Sequence, residues 1–375
     1  MSYNMTNVLG IIFANSHDEA LPELASNRTM ASVPFGGRFR LIDFQLSSMV
    51  NSGMSTVGII TKSNYESLLD HIGSARYWDL SRSYGGLTIL PPYGNIDSGL
   101  YVGKLQALKG ALGYIKKTGC EYVILADANV VLNADYSKII EEHIESGADI
   151  TSVASTDNYS ASETSDSVAF EIDATGRVKE TILNCAKAGK YTLGLNIHIL
   201  STQLLESLVM DLIPRGKNIF DRDVLQAKAG KLNIRVYEYT GYHSRIHDFE
   251  SYYAENMKLL DPDNLGKLIL KKRPVYTKVR DDAPSKYGLD SSVNNSLVAD
   301  GCVIDGVVEN SILFRGVKVA KGAVVKNCIL MQDTVIGKQT MISNIITDKD
   351  VVIGDELRIS SAVGSPLYIG KKRVL

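Results

Sequence analysis

Short apolar runs and amphipathic stretches alternate over the first two thirds of the chain. Residues 8–14 (VLGIIFA) form a continuous apolar run, which predicts a buried strand. Residues 41–52 (LIDFQLSSMVNS) have helical periodicity, and Gly53 follows as a stop signal. Residues 55–61 read as a second strand, and 63–71 and 103–117 as helices. Residues 122–126 predict a third strand, 136–146 a helix ending at Gly147, and 149–154 a further strand. Alternation at this spacing implies an α/β, Rossmann-like domain with a mainly parallel sheet and helices on both faces. Such sheets hold ligands at the carboxyl ends of strands. The loops after Ala14, Thr61 and Ala126 are therefore where chemistry is expected. Residues 156–168 (TDNYSASETSDSV) are polar and predict a loop or an exposed hairpin excursion.

After about residue 290 the period changes. Blocks 298–304, 319–325, 336–342 and 353–359 each have an aliphatic residue, a small residue next, and an aliphatic residue six positions on. The last three start 17 residues apart, about one three-sided coil of six-residue rungs. Four such blocks predict a left-handed parallel β-helix of hexapeptide repeats, with an ordinary β-sandwich as the plainer reading. The organisation is then residues 1–260 as the α/β domain, 261–290 as a linker, and 291–375 as the β-helix.

Hydrophobic residues are 45% of the 375 and charged residues 22%, which excludes a disordered chain. Lys+Arg is 40 against Asp+Glu 42, a net charge of −2, so the charge balance gives no nucleic-acid footprint. The four cysteines (Cys120, Cys185, Cys302, Cys328) have neither metal-ligand spacing nor a disulfide pattern. They are expected to be reduced and buried, as suits a cytoplasmic protein. No apolar run is long enough to span a membrane, and the N-terminus lacks the basic region of a signal peptide.

Residues 33–47, VPFGGRFRLIDFQLS, closely resemble the PFGGKYRLIDFxLSN signature of ADP-glucose pyrophosphorylases (glucose-1-phosphate adenylyltransferases). The likeness continues through HIGS (71–74), WDL (78–80), Asp135-Tyr136, AENMKLL (254–260), PVYT (274–277) and NSLV (295–298). The resemblance implies a nucleotidyltransferase domain in front of the β-helix. It also implies a reaction of ATP with glucose 1-phosphate, in which metal ions and cations neutralise the triphosphate.

At the positions that carry this chemistry the resemblance fails. The family's glycine-rich LAGGxGxRL loop is here FANSHDEAL (13–21). Asn15 and Ser16 replace the paired glycines, Asp18 the third, and Ala20 the arginine. Two acidic residues arrive and a cation is lost, so a triphosphate is expected to meet repulsion. Met30 stands at a lysine, and so does Asn184. Lys104, Leu105 and Gln106, between Gly103 and Ala107, are larger than the family's residues near the base. The two magnesium-binding aspartates are replaced by Asn129 and Arg245. An amide is a poor ligand for magnesium and an arginine is none. Asp127 and Asp248 lie close enough in sequence to offer a shifted pair of ligands. His243 and His247 have HxxxH spacing, but they flank Arg245 and lack the glutamate of a zinc motif.

The pattern resembles the D-type, non-catalytic subunit of bacterial ADP-glucose pyrophosphorylase. That implies a regulatory subunit in glycogen biosynthesis, no metal or cofactor of its own, magnesium only in the partner, and a tetramer with a catalytic subunit. Self-assembly is a further possibility for the assembly. In the family, phosphorylated metabolites act from a cleft between the domains. Arg28, Arg40, Arg315 and Lys318 are the candidates for such an anion pocket. Ordinary surface ion pairing is the plainer reading of the same residues. An active adenylyltransferase with shifted ligands and a stand-alone metabolite sensor are the alternative functions.

Overall fold

The computed structural model describes residues 3–92 and 100–375. Its first part runs β1 (Val8–Phe13), α1 (Pro22–Ala25), β2 (Pro34–Phe35), β3 (Phe39–Arg40), α2 (Leu41–Asn51), β4 (Thr56–Ile60) and α3 (Glu66–Ile72). It continues with β5 (Gly86–Leu90), α4 (Lys104–Thr118), β6 (Tyr122–Asp127), β7 (Val130–Leu132), α5 (Tyr136–Glu145), β8 (Ile150–Tyr159) and β9 (Val168–Ile172). Then come β10 (Val178–Leu183), β11 (Gly189–Ser201), α6 (Thr202–Leu212), β12 (Ile234–Glu238), β13 (His243–Arg245), α7 (Phe249–Met257) and α8 (Pro262–Leu268).

β1 pairs in parallel with β4 and β6, and β4 with β5. β11 closes the other side of β6 in antiparallel register and carries β8 with it. All six residues of β1 are buried, which is why the strand reads as an unbroken apolar run. Leu9, Ile11 and Phe13 pack toward α4 and α6, while Val8 and Ile12 pack toward α2 and α5. Each such side chain contributes roughly 1.5–3 kcal/mol by leaving water. The expected excursion is a run of turns between the ends of β8 and β9.

The C-terminal part is a β-helix of three five-stranded parallel sheets. Val319, Ile336 and Ile353 stack in one sheet, and Val325, Ile342 and Ile359 in the next. The first hexapeptide block is out of phase with the other three. Its Ile304 stacks under Val319, and its Val298 lies one sheet earlier, under Leu313. Asn295, Asn310, Asn327 and Asn344 turn one column of corners in the left-handed backbone region, which asparagine tolerates better than most residues. The glycine of the third block has a packing reason. A Cβ on Gly337 would stand 2.5 Å from the Gly354 backbone of the next coil.

The β-helix begins at Lys286–Tyr287, which pair with Val303–Ile304, inside the span read as linker. That span also contains α8. The two domains share a core. Ile312, Phe314, Ile329, Met331 and Ile346 project from one β-helix sheet into a cluster with Met30, Val33, Phe35, Phe44 and Tyr252. Cys120, Cys302 and Cys328 are buried free thiols. Cys185 departs from expectation: it is half-buried on the loop after β10, with Sγ 3.1 Å from the Tyr191 hydroxyl.

Candidate functional site

The carboxyl ends of β1 and β6 meet where the alternating pattern places a ligand. The loop after β1 is stapled shut by its own side chains. Asn15 accepts from the Lys62 backbone N–H (2.7 Å) and donates to Asp18 (2.7 Å), whose other oxygen accepts from the Met30 N–H (2.7 Å). Asp18 is thus turned inward, and Glu19 is exposed. Ala20 sits in the short 3₁₀ turn that follows. Met30 is fully buried in the interdomain core, so a lysine amine has no place there. Asn184 lies exposed beyond β10, where its N–H bonds Ser167 O at 3.0 Å.

Asn129 and Arg245, far apart in sequence, are neighbours in space. β7 pairs with β13, the Ile246 N–H bonds Asn129 O (2.9 Å), and the Asn129 amide donates to Ile246 O (3.1 Å). The Arg245 guanidinium reaches across to donate to the backbone carbonyls of Glu163 and Asp166 in the excursion. Burial pushes its pKa down, and Asp166 and Glu163 oppose that shift. These residues do not fit a magnesium ion.

Two further cations, His17 and Lys104, stand at the same strand end. His17, in the left-handed region at φ 67°, bridges Asp127 (Nε2 to Oδ2, 3.0 Å) and Asp166 (Nδ1 to Oδ2, 2.8 Å). Lys104 extends from the start of α4 to the same Asp127 oxygen at 2.7 Å. Gly103 before it has a steric reason, since a Cβ would lie 2.2 Å from Asn218 O. Burial alone would lower the His17 pKa. Hydrogen bonds and charge from Asp127 and Asp166 outweigh it and push the group up to about 9. Burial works the other way on Asp127, and Lys104 and His17 still hold it well below the usual carboxylate range.

Asp127 and Asp166 are matched by His17, Lys104 and Arg245, all from within the chain. The shifted-ligand pair is also engaged. Asp127 Oδ1 is buried without a hydrogen-bond partner, but it lies on a carboxylate already shared by two cations. Asp248 caps α7, accepting from the Ser251 N–H at 2.7 Å. His243 and His247 each turn Nδ1 to a nearby backbone carbonyl, Gly241 O at 3.1 Å and Arg245 O at 3.2 Å. Among the described residues no group of three or more His, Cys, Asp or Glu side chains is placed to hold a metal ion.

A second charged cavity, of about 360 Å³, lies between the domains. Arg38, Arg40, Lys278, Arg280, Arg315 and Lys349 line it. Arg40 and Arg315 are thus brought together as candidates. Arg28 lies behind them in a buried ion pair with Asp348 at 2.5 Å, and Asp348 also accepts from the Tyr368 hydroxyl at 2.9 Å. Lys318 is not among the lining residues. It is exposed on another sheet, between Val303 and Val335. Arg38, Lys278, Arg280 and Lys349 are lining cations outside the candidate set, and the signal for Lys349 is the coil repeat, which sets it two 17-residue coils after Arg315 with Gln332 between.

Residues 9–260 match the nucleotidyl transferase family, and residues 281–363 match the GlmU-like, C-terminal hexapeptide family. The glycogen biosynthesis protein GlgD of Bacillus subtilis (strain 168) is 34% identical over 316 residues, covering 84% of this chain and 81% of the relative. GlgD of Geobacillus stearothermophilus is 37% identical over 318 residues, covering 84% and 82%. Glucose-1-phosphate adenylyltransferase of Geobacillus stearothermophilus is 32% identical over 327 residues, again covering 84% and 82%. With an α/β sheet and a hexapeptide β-helix in that order, the chain belongs to the nucleotidyl transferase family, in the group that contains GlgD and the glucose-1-phosphate adenylyltransferases.

Proposed function

We propose that this chain is a regulatory, non-catalytic subunit of glucose-1-phosphate adenylyltransferase, acting in cytoplasmic glycogen biosynthesis. It works by assembling with a catalytic subunit as a hetero-tetramer and biasing that partner's active state. One observation supports the reading: at the end of β6, where the family's chemistry is expected, His17, Lys104 and Arg245 are engaged with the chain's own Asp127 and Asp166. Phosphoryl transfer depends on positioned counter-charges, and here those counter-charges are spent. The alternative, an active enzyme with shifted ligands, needs Asp127 and Asp248 free. The first is bound to two cations, and the second caps a helix.

The interdomain cleft supports an effector role. Among its lining carboxylates, Asp70 pairs with Lys278 (3.2 Å) and Asp333 with Arg280 (3.1 Å), Asp350 is exposed on the rim, and Arg38 faces Asp300 at 3.9 Å, which leaves Arg40, Arg315 and Lys349 to meet an anion. The ligand class is a phosphorylated metabolite, bound by guanidinium forks. A chain with this cleft and no catalytic partner would be a metabolite sensor.

Assay of ADP-glucose formation by the purified chain, alone and mixed with a catalytic subunit, tests the proposal. No turnover alone, with altered kinetics of the mixture, is the expected result. Turnover alone comparable to the partner's would end it, and failure to bind or alter the partner would favour the sensor. Calorimetry with sugar phosphates, AMP and sulfate reads the cleft directly, and Arg40→Ala is expected to weaken binding at least tenfold.

A further inference from the structure

One side chain in the interdomain cleft has chemistry that anion binding alone does not use. Lys349 stands at the corner after the strand Ile345–Thr347, on the rim where the β-helix faces α3 and the Arg40 segment. Asp348 and Asp350 flank it in sequence; the Asp348 carboxylate is consumed by Arg28, by the Tyr368 hydroxyl and by the Lys349 backbone N–H, and Asp350 is exposed on the rim of the same cleft. Asp70, across the cleft, is taken by Lys278. Among the described residues Lys349 forms no ion pair, whereas Arg28 and Arg40 stand close enough to oppose its charge, with Lys371 adding to them. Burial first, and then those guanidiniums, push the amine down to about 7. A lysine that is neutral for much of its time near neutral pH is a nucleophile. Arg40 and Arg315 in the same cleft can hold a phosphoryl group beside it.

We propose that Lys349 is a covalent modification site, acylated by a small acyl phosphate held in the interdomain cleft. This rests on reading the cleft as an anion site. The Lys349 Nζ lone pair attacks the carbonyl carbon, and the bond from that carbon to the phosphate oxygen breaks. Inorganic phosphate leaves against the guanidiniums, and the amine proton passes to solvent. The product amide carries no charge, so acylation removes a cation from the cleft and weakens its hold on the next anion. The modification state of one lysine would then set the effector response of the whole subunit.

Incubating the intact chain with acetyl phosphate and following each lysine by peptide mass spectrometry tests this. Lys349 is expected to be acetylated at least tenfold faster than the exposed Lys371 and Lys372. Inorganic phosphate should suppress the reaction at Lys349 and leave the exposed lysines unchanged. Arg40→Ala and Arg315→Ala should slow Lys349 with acetyl phosphate. Arg315→Ala should not slow it with acetic anhydride, which carries no phosphoryl group to hold, whereas Arg40→Ala also removes a charge that lowers the amine's pKa and should slow both reagents. A Lys349 rate equal to that of Lys371 in the unmodified sequence overturns the proposal. If phosphate binds by calorimetry while Lys349 reacts no faster, the modification fails and the anion cleft stands. If phosphate neither binds nor competes, both fail.

Discussion

The end of β6 and the interdomain cleft are both lined with charge, yet they are charged in opposite senses of completeness. At β6, the Asp127 and Asp166 carboxylates are bonded to His17 and Lys104 over distances of 2.7–3.0 Å, with Arg245 on the Asp166 backbone carbonyl, so the chain supplies its own counter-charges. In the cleft, Asp70 and Asp333 are used up by Lys278 and Arg280, and Arg40, Arg315 and Lys349 outnumber the remaining lining carboxylate, Asp350. A site that supplies its own counter-ions has little electrostatic reason to draw a ligand from solution. A site with cations held together at a cost in repulsion has a standing one. The family fold is retained around both, so the difference lies in a few side chains and not in the backbone.

Several experiments would break or sharpen this contrast. The largest effect is expected at the floor of the cleft. Arg28→Ala leaves the Asp348 carboxylate buried with its main cation gone, and should cost about 3–5 kcal/mol in denaturant unfolding. Adding Asp348→Asn should recover part of that loss, and no recovery would show that Arg28 acts through packing instead. Next comes the self-satisfied network. Asp127→Asn strands Lys104, leaves His17 with Asp166 alone, and should cost about 2–3 kcal/mol, since His17 and Lys104 are slightly exposed. If that variant were fully stable, the network would not be what fills the site.

The same network makes a pH prediction. The folded state binds the His17 proton more tightly than the unfolded chain does, so its contribution is complete below about 6.5 and is lost as pH rises through about 9. His17→Gln should flatten the stability curve across that window, as read by unfolding midpoints at several pH values. The smallest effect serves as the reference. Asn327→Ala, at a β-helix corner away from both sites, should cost about 1 kcal/mol through its left-handed backbone, and should leave anion binding unchanged.

Much of the fold was legible because it is written locally. β1 and β6 are buried on both sides and so appear as unbroken apolar runs, and the 17-residue spacing of Val319, Ile336 and Ile353 is one coil. The phase of the first coil was not legible, because Ile304 and Val319 are separated by fewer residues than the later rungs. The candidate set also named the wrong lysine for the cleft: Lys318 lies on a different sheet, while Lys349 stands two 17-residue coils after Arg315 at the same corner. At the β6 site, motif comparison located Asn129 and Arg245, since each sits in a recognisable frame. The His17–Asp127–Lys104–Asp166 network was not visible in the same way. It joins four distant segments through side-chain geometry, and no short spacing encodes it.

The shared core between the domains has a consequence for how such chains can be recombined. Phe314 and Met331 of the β-helix are buried among Met30, Phe35 and Tyr252 of the α/β domain, so the hexapeptide region is not an interchangeable cartridge. A chimera that takes its β-helix from a relative would inherit half of a fitted seam. It should fold well only if the donor brings residues of matching shape at Ile312, Phe314, Ile329, Met331 and Ile346, or if the recipient's side of the seam is exchanged with them.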